Sequence, residues 1–421
     1  MTTNPSPVWH PFTQHGLERD IPEIASASGA WLIARDGKHI FDAISSWWVV
    51  THGHCHPKIV AAMQKQAAQL DQVIFAGMTH APAEDVARQL IDLTPAGLDY
   101  VFFSDSGSTS VEVALKMALG YWRNRGETRT RILALEHSYH GDTIGTMSAG
   151  ARGVFNAAYE PLLFDVGRIP YPSEGNEQAT LDALEAACCD PAAAAFICEP
   201  LVLGAGGMLM YGADTLAEMR RICSKYGVLF IADEVMTGFG RTGRMFACEH
   251  ANVSPDILCL AKGLTGGSIP LAVTLCSAEI FDAHASKDRS RMFFHSSSYT
   301  ANPIACAAAA ANLQIWRDEP VLRRLDDLSR NQAGALSALS THARVARVRQ
   351  TGTIAAFDIA GDDSGYLAEI ALPLRAACLK RGVLIRPLGS TVYVMPPYCI
   401  TLDELQNVYA VIGEAVDEVM T

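Results

Sequence analysis

Six short apolar runs recur along the middle of the chain, and most are followed by a segment with helical periodicity. The runs are "YVFFS", "RILALE", "AAFICEP", "VLFIADE", "ILCLA" and "LAVTLCS". Apolar strands that alternate with helices are typical of a mostly parallel sheet with both faces covered. In such sheets, ligands bind at the carboxyl ends of the strands. The sequence therefore predicts an α/β fold, and the polar residues that follow these runs are candidate site residues.

Both ends of the chain differ from this middle part. An Asp36-Gly37 pair between alternating runs predicts an early hairpin. After Asn302-Pro303, long helical segments give way to strand candidates at "TGTIAAFDIA", "GVLIRPLG" and "TVYVMPP". We therefore predict a large α/β domain at residues 61–315 and a smaller α+β domain built from residues 1–60 and 316–421.

Composition excludes several classes of partner. The chain of 421 residues has 33 basic and 45 acidic residues, a net charge of −12, which argues against nucleic acid or an anionic membrane surface. It has no long apolar run, and "MTTNPSPVWHPFTQ" lacks the basic start and apolar core of a signal peptide. We expect a cytoplasmic protein. The eleven cysteines are scattered, mostly in apolar segments, which predicts reduced thiols rather than disulfides or a zinc site.

Two charged residues follow strand-like runs closely. Lys262 comes directly after "ILCLA" and before a glycine-rich turn, and Asp233 ends "VLFIAD". The ordinary interpretation is a lysine that ends a strand with its amine in water, and an acid that faces solvent. The alternative is a buried, reactive amine with a paired carboxylate, since an unpaired buried charge is costly.

The residues after two other strands suit a ligand that has a phosphate group and a flat ring. Gly107 and Ser108 lie where a run ends and a helix begins, and the free N–H groups of a helix start attract phosphate. Tyr139 follows "RILALE" in "YHGD" and could lie against a flat ligand. A plain helix cap and a core tyrosine are the ordinary alternatives.

Together these residues match the needs of pyridoxal 5′-phosphate (PLP). That cofactor requires a lysine for a Schiff base, a carboxylate near its ring nitrogen, a phosphate cradle and a group against its ring. Lys262, Asp233, Gly107 with Ser108, and Tyr139 supply these in turn. An aldolase-like lysine enzyme without a cofactor, and a non-catalytic vitamin-binding protein, are the alternatives from other classes.

The sequence resembles the class III aminotransferases of fold type I over nearly its whole length. The matching motifs are "DSGSTSVEVALKMA", "YHGDT", "EPLVLGAGGM", "ADEVMTGFGRTG", "PDILCLAKGLTGG" and "ANPIACAAA". The resemblance implies a large, mostly parallel sheet domain with a smaller α+β domain. It also implies that Lys262 binds PLP and moves the proton during transamination, and that Asp233 pairs with the ring nitrogen.

The same resemblance implies further contacts and a partner. Ser297 and Ser298 of the partner subunit would help hold the phosphate, because members of this class form homodimers with sites at the interface. Arg386 would bind the carboxylate of the keto acid through its planar fork, with Arg241 as a second candidate. Other expected contacts to cofactor or substrate come from a small set of side chains: Tyr139, Trp47, Phe12 and Ser296.

Further motifs narrow the resemblance to members that transfer an amino group to 8-amino-7-oxononanoate in biotin biosynthesis. They are "WHPFTQ", "DAISSWW", "THAPA" and "IRPLG…VYVMPPY". Phe12 stands where a tyrosine is common in this family, and that tyrosine's hydroxyl is a polar contact in the substrate cleft. The resemblance implies S-adenosylmethionine as the amino donor, with lysine as the alternative. Another class III enzyme, acting on an ω-amino acid or diamine, remains the alternative.

A cluster of histidines invites a metal interpretation. His52, His54, Cys55 and His56 lie within five residues. No second cluster of ligands accompanies them and transamination needs no metal, so we predict no metal site and a helix that starts at His56-Pro57.

Overall fold

The computed structural model describes residues 6–18, 21–361 and 365–420, and strands alternate with helices along most of this length. The strands are β1 (Ile24–Ser28), β2 (Trp31–Ala34), β3 (His39–Asp42), β4 (Tyr100–Ser104), β5 (Arg131–Leu135), β6 (Gly167–Ile169), β7 (Ala193–Cys198), β8 (Val202–Leu203), β9 (Leu209–Met210), β10 (Leu229–Asp233), β11 (Ile257–Leu260), β12 (Ala272–Cys276), β13 (Val345–Thr351), β14 (Ile354–Ile359), β15 (Val383–Leu384) and β16 (Thr391–Val394). The α-helices are α1 (Ser45–Trp48), α2 (Pro57–Ala67), α3 (Ala81–Leu93), α4 (Gly107–Asn124), α5 (Ile144–Ala149), α6 (Glu177–Cys188), α7 (Ala213–Tyr226), α8 (Ala278–His284), α9 (Pro303–Asp318), α10 (Val321–Leu339), α11 (Ala371–Lys380) and α12 (Leu402–Met420). Short 3-10 helices cover Ala157–Leu162, Ala247–His250, Lys262–Thr265, Arg289–Arg291 and Gly365–Leu367.

The central feature is a seven-stranded sheet with the order β4-β12-β11-β10-β7-β5-β6. Strands β6, β5, β7, β10 and β11 pair in parallel. Strand β12 is antiparallel to both of its neighbours, β11 and β4. The prediction of a mostly parallel α/β sheet is confirmed, and the "LAVTLCS" run is the strand that points the other way.

Apolar side chains cover both faces of this sheet. Phe230 and Leu258 pack into one buried cluster, whereas Ile231 and Ile257 pack into a second cluster with α4. Successive side chains of a strand point to opposite faces, so a strand buried on both sides must be apolar throughout. This requirement is the physical reason for the uninterrupted apolar runs in the sequence.

The two ends of the chain meet beside the sheet. Strands β2 and β3 form the hairpin predicted at Asp36-Gly37, and β15 from the C-terminal part pairs in parallel with β3. Strands β13, β14 and β16 form a separate antiparallel sheet. Helix α9 runs continuously across residue 315, and the domain limits near residues 60 and 315 stay a prediction.

The histidine-rich segment is held by ordinary side-chain partners. His54 Nε2 lies 2.8 Å from Asp42 Oδ2, and His56 precedes Pro57 at the start of α2, as predicted. Within the described ranges, no group of three His, Cys, Asp or Glu side chains is placed to bind a metal ion. The same residues contain no helix with both the length and the apolarity needed to cross a membrane.

Helix α9 fixes the turn that follows β11. Asn312 is fully buried, and its Nδ2 donates to Gly263 O at 2.9 Å and Leu264 O at 3.0 Å. The turn contains Lys262 with φ 43°, a left-handed conformation that is uncommon for a lysine. The amide of Asn312 therefore satisfies two carbonyls and stabilises the strained backbone of this turn.

Replacing Asn312 by leucine should lower the free energy of unfolding by about 1–3 kcal/mol, because Leu264 O loses its side-chain donor and Gly263 O keeps only Gly266 N. Urea titration measures the change. Gln314→Leu is the matched control, since Gln314 is exposed on the same helix and bonds only to Asp318 among the described contacts. Equal losses in both variants would contradict the role assigned to Asn312.

Candidate active site

Five strand ends of the central sheet open onto one cavity of about 450 Å³. Its lining includes Gly107 and Ser108 after β4, Tyr139 and His140 after β5, Glu199 after β7, Asp233 at the end of β10 and Lys262 after β11. The carboxyl ends of parallel strands lie at the same edge of a sheet, which explains this convergence. The structure thus brings together the four features that the sequence predicted for a PLP site.

Lys262 directs its amine into apolar surroundings. Its Nζ lies 4.8 Å from the centre of the Trp48 ring. Burial lowers the pKa of Lys262 from 10.5 to about 8, although the negative charges of Asp233 and Glu199 oppose this shift. A substantial neutral fraction at moderate pH makes this amine able to act as a nucleophile and a base. The interpretation of Lys262 as a lysine ending a strand in water is wrong.

Asp233 is held by two donors at the base of the cavity. Its Oδ2 lies 2.7 Å from His140 Nδ1, and its Oδ1 accepts from Val235 N at 3.1 Å. The other nitrogen of His140, Nε2, is buried without a partner in the described residues. His140 therefore orients the carboxylate. The sequence contained it in "YHGDT", but its contact with Asp233 depends on the pairing of distant strands.

Small residues shape the start of α4. Ser106 caps this helix by accepting from Thr109 N at 3.2 Å, which leaves the N–H groups of Gly107 and Ser108 free for a ligand. A Cβ on Gly107 would lie 2.6 Å from Val235 Cγ1, and a Cβ on Gly141 would overlap Ser108. Glycine is therefore required at both positions for this close packing, and the result is a concave surface at a positive helix end.

Glu199 connects the wall of the cavity with the segment that carries Tyr139. Its two carboxylate oxygens accept from Tyr139 N at 2.9 Å and from Gly204 N at 2.9 Å. Burial raises the pKa of Glu199 to about 7, partly offset by His140. Burial also raises the pKa of the Tyr139 hydroxyl, with a further contribution from Asp142. Tyr139 therefore keeps its proton over the physiological pH range.

An aromatic cluster lies beside Tyr139. Phe155 is in contact with three rings: Phe12 at 5.9 Å between centroids, Tyr139 at 6.1 Å and Tyr366 at 4.6 Å. Phe12 also packs edge-on against Trp47 at 5.5 Å. Phe12 and Trp47 were predicted to be in the substrate region, which stays a prediction, whereas the sequence did not single out Phe155 and Tyr366, which were missed as members of this cluster. Neither missed residue lies in a motif, and only the tertiary fold brings them to Tyr139.

Arg386 lies at the edge of this aromatic cluster. Its guanidinium carbon is 4.8 Å from the centre of the Trp47 ring, and its Nη2 donates to Phe12 O at 2.7 Å. These contacts use one face and one donor of the guanidinium group. The group has further N–H donors, as the predicted binding of a carboxylate requires.

Arg241 lies within the core of the fold. Its side chain is only 1% exposed, and its two terminal nitrogens donate to the carbonyls of Pro396, Trp48 and Val50 at 2.9–3.2 Å. Like Arg386, Phe12 and Trp47, Arg241 is outside the set of residues that line the cavity. Its donors satisfy backbone carbonyls of the core, and its role in substrate binding stays a prediction.

The serine-rich stretch before α9 lies near the start of α4. Ser297 Oγ donates to Asp105 of the same chain, Ser298 O accepts from Gln72 at 2.6 Å, and Ser296 Oγ donates to Ser297 O at 3.1 Å. The contacts predicted for Ser296, Ser297 and Ser298 with substrate and cofactor stay predictions.

A family model described as "Aminotransferase class-III" matches residues 18–416. The chain belongs to the class III aminotransferases. This class III chain is 48% identical over 421 residues to the adenosylmethionine-8-amino-7-oxononanoate aminotransferase of Synechococcus elongatus, covering 98% of this chain and 99% of that protein. It is 40% identical to the enzyme of the same name from Mycobacterium leprae, with 97% and 94% coverage.

Solved structures agree with the fold. A crystal structure named adenosylmethionine-8-amino-7-oxononanoate aminotransferase, from Methanocaldococcus jannaschii, superimposes with a TM-score of 0.94 at 32% identity, covering 98% of this chain and 97% of that one. An amine transaminase from an uncultivated Pseudomonas species, solved in a PLP-bound form, gives 0.90 at 32% identity with 98% coverage of both chains. These likenesses confirm the predicted class and the fold of PLP-dependent transaminases.

The reactivity of Lys262 towards a small amine-selective reagent should rise with pH, with a midpoint at about 8, since burial lowers the pKa of its amine to that value. Peptide mass spectrometry of the cofactor-free protein, labelled at a series of pH values, measures this profile. Lys225 is an internal comparison, because its hydrogen bond to Glu185 raises its pKa.

Asp233→Asn should move the Lys262 profile to lower pH, because the variant lacks the negative charge that favours the ammonium form. A shift to higher pH, or identical profiles for Lys262 and Lys225, would contradict the assigned electrostatics.

Proposed function

We propose that this chain is a PLP-dependent aminotransferase that converts 8-amino-7-oxononanoate to 7,8-diaminononanoate in biotin biosynthesis, with S-adenosylmethionine as amino donor. The buried amine of Lys262, facing a cavity with a carboxylate and a phosphate-binding helix start, carries the assignment of chemistry. The names of the full-length relatives, which are 35–48% identical, support the substrates.

The residues of the cavity fit PLP. The free N–H groups at Gly107 and Ser108 suit its phosphate, and the carboxylate of Asp233 suits its ring nitrogen. Tyr139 borders the same cavity and suits a position beside the flat ring. When bound, PLP joins covalently to amines and withdraws electrons from the carbon that loses a proton.

Lys262 is the residue suited to move that proton. Its Nζ can accept a proton from the carbon of the amino donor and deliver it to another atom, because its pKa lies near the working pH. Asp233, oriented by His140, supplies a fixed negative charge at the base of the cavity. Apolar side chains of the cavity, Trp48 among them, lower the polarity around both groups and strengthen both effects.

The aromatic cluster beside Tyr139, together with Arg386, suits a long acceptor with a terminal carboxylate. Phe12, Trp47 and Phe155 offer apolar surface for a methylene chain, and Arg386 offers N–H donors at one end of it. Phe12 contributes its ring and backbone carbonyl but no hydroxyl. The hydrogen bond to the amino donor that a tyrosine hydroxyl would make must therefore come from another residue.

We further propose a cytoplasmic homodimer. Phe294 and Tyr299 lie on either side of the serine-rich stretch in the sequence, and both are exposed. Large exposed apolar side chains favour burial against another protein surface. If a second copy of the chain packs against this surface, Ser297 and Ser298 of each subunit would reach the active site of the other subunit. The resemblance to this class implies the same arrangement.

A donor and acceptor screen tests the proposed reaction. Purified protein loaded with PLP should convert 8-amino-7-oxononanoate with S-adenosylmethionine faster than with lysine or a simple diamine. Lys262→Ala, prepared in parallel, should show no turnover because it lacks the amine. Failure to convert this acceptor with any donor, together with activity on an ω-amino acid and pyruvate, would favour another class III activity.

A further inference from the structure

Arg349 on β13 joins two parts of the molecule that flank the active site. Its Nε donates to Met208 O at 2.8 Å and its Nη2 donates to Gly207 O at 2.6 Å. Its two terminal nitrogens also hold the carboxylate of Asp358 on β14, at 3.0 and 3.1 Å. The side chain is 17% exposed. One guanidinium group therefore links the loop between β8 and β9 to the β13–β14–β16 sheet.

The loop that Arg349 contacts lies behind Tyr139. Gly204 at its start donates to Glu199, and the other oxygen of Glu199 accepts from Tyr139 N. A Cβ on Gly206 would overlap His137 O, so the loop packs directly on the segment that leads to Tyr139. Arg349 thus contacts a loop that is coupled to one wall of the cavity.

The sheet on the other side of Arg349 anchors the segment that carries Arg386. Asp358 Oδ1 accepts from Thr391 Oγ1 at 2.6 Å, and Ile359 N donates to Ser390 O at 2.9 Å. These bonds fix the end of the connection between β15 and β16, which contains Arg386. The position of Arg386 relative to Tyr139 therefore depends on a chain of bonds that passes through Arg349.

We propose that Arg349 is a positioning residue that sets the separation between Arg386 and the Tyr139 side of the cavity. This inference rests on the proposed function, in which an acceptor with a ketone and a distant carboxylate spans that separation. A guanidinium group is suited to the task because its planar fork makes several bonds in a fixed geometry. Small errors in substrate position reduce reaction rates strongly.

Arg349→Lys tests the proposal, because lysine keeps the charge opposite Asp358 but lacks the fork that also reaches Gly207 and Met208. Steady-state kinetics with PLP-loaded protein compare 8-amino-7-oxononanoate with its methyl ester, which Arg386 does not bind as an anion. We expect KM for the acid to rise about tenfold or more, while KM for the ester changes by less than about twofold. Arg386→Ala is the positive control for lost carboxylate recognition.

Arg347→Lys is the matched control. Arg347 contacts the same carboxylate, with Nε 2.7 Å from Asp358 Oδ2, but its side chain is 70% exposed. This variant should leave the preference for the acid unchanged. Equal changes for acid and ester in Arg349→Lys, no change at all, or an effect of the same size in Arg347→Lys would overturn the proposal.

Thr391→Val keeps the proposal testable if Arg349→Lys does not fold. It removes the hydroxyl that donates to Asp358 and accepts from Arg349 Nη2 at 3.5 Å, so the same selective rise in KM for the acid is expected, but smaller. Equal changes for acid and ester in this variant would again overturn the positioning role. Wild-type protein that fails to convert the acid with any donor would instead overturn the proposed function.

Discussion

The burial of the Lys262 amine is the constraint on which the rest of the site depends. Taking an ammonium group out of water is costly, and the lowering of the Lys262 pKa from 10.5 to about 8 corresponds to about 3 kcal/mol. This is the net effect, in which the negative charges of Asp233 and Glu199 already oppose the larger cost of burial. The result is an amine that can carry or release a proton near neutral pH.

Hydrogen bonds from other segments also fix the backbone around Lys262. The left-handed conformation of this residue places the amine at the end of β11, and Asn312 from α9 fixes the following turn. Asp233 is fixed by His140, and Glu199 is fixed by two backbone N–H groups. The turn after Lys262 and the carboxylates of Asp233 and Glu199 are therefore each held by a group from a different segment, which makes a site at several strand ends rigid.

The sequence predicted the inner site better than the outer one, for a physical reason. Lys262, Asp233, Gly107 and Tyr139 each follow an apolar strand, and parallel pairing alone places such residues at one edge. Phe155 and Tyr366 have no such local signal, because loops bring them together. The resemblance implied Arg241 as a second candidate for the substrate carboxylate but could not show its partners in the fold, which are three carbonyls of the core.

The central claim is that PLP binds covalently to Lys262. Borohydride makes the bond between the cofactor and a lysine amine permanent, so reduction of the active protein followed by peptide mapping identifies the lysine. We expect the peptide containing Lys262 to carry the pyridoxyl group. An unmodified Lys262 in fully active protein, with the label on another lysine, would contradict the account.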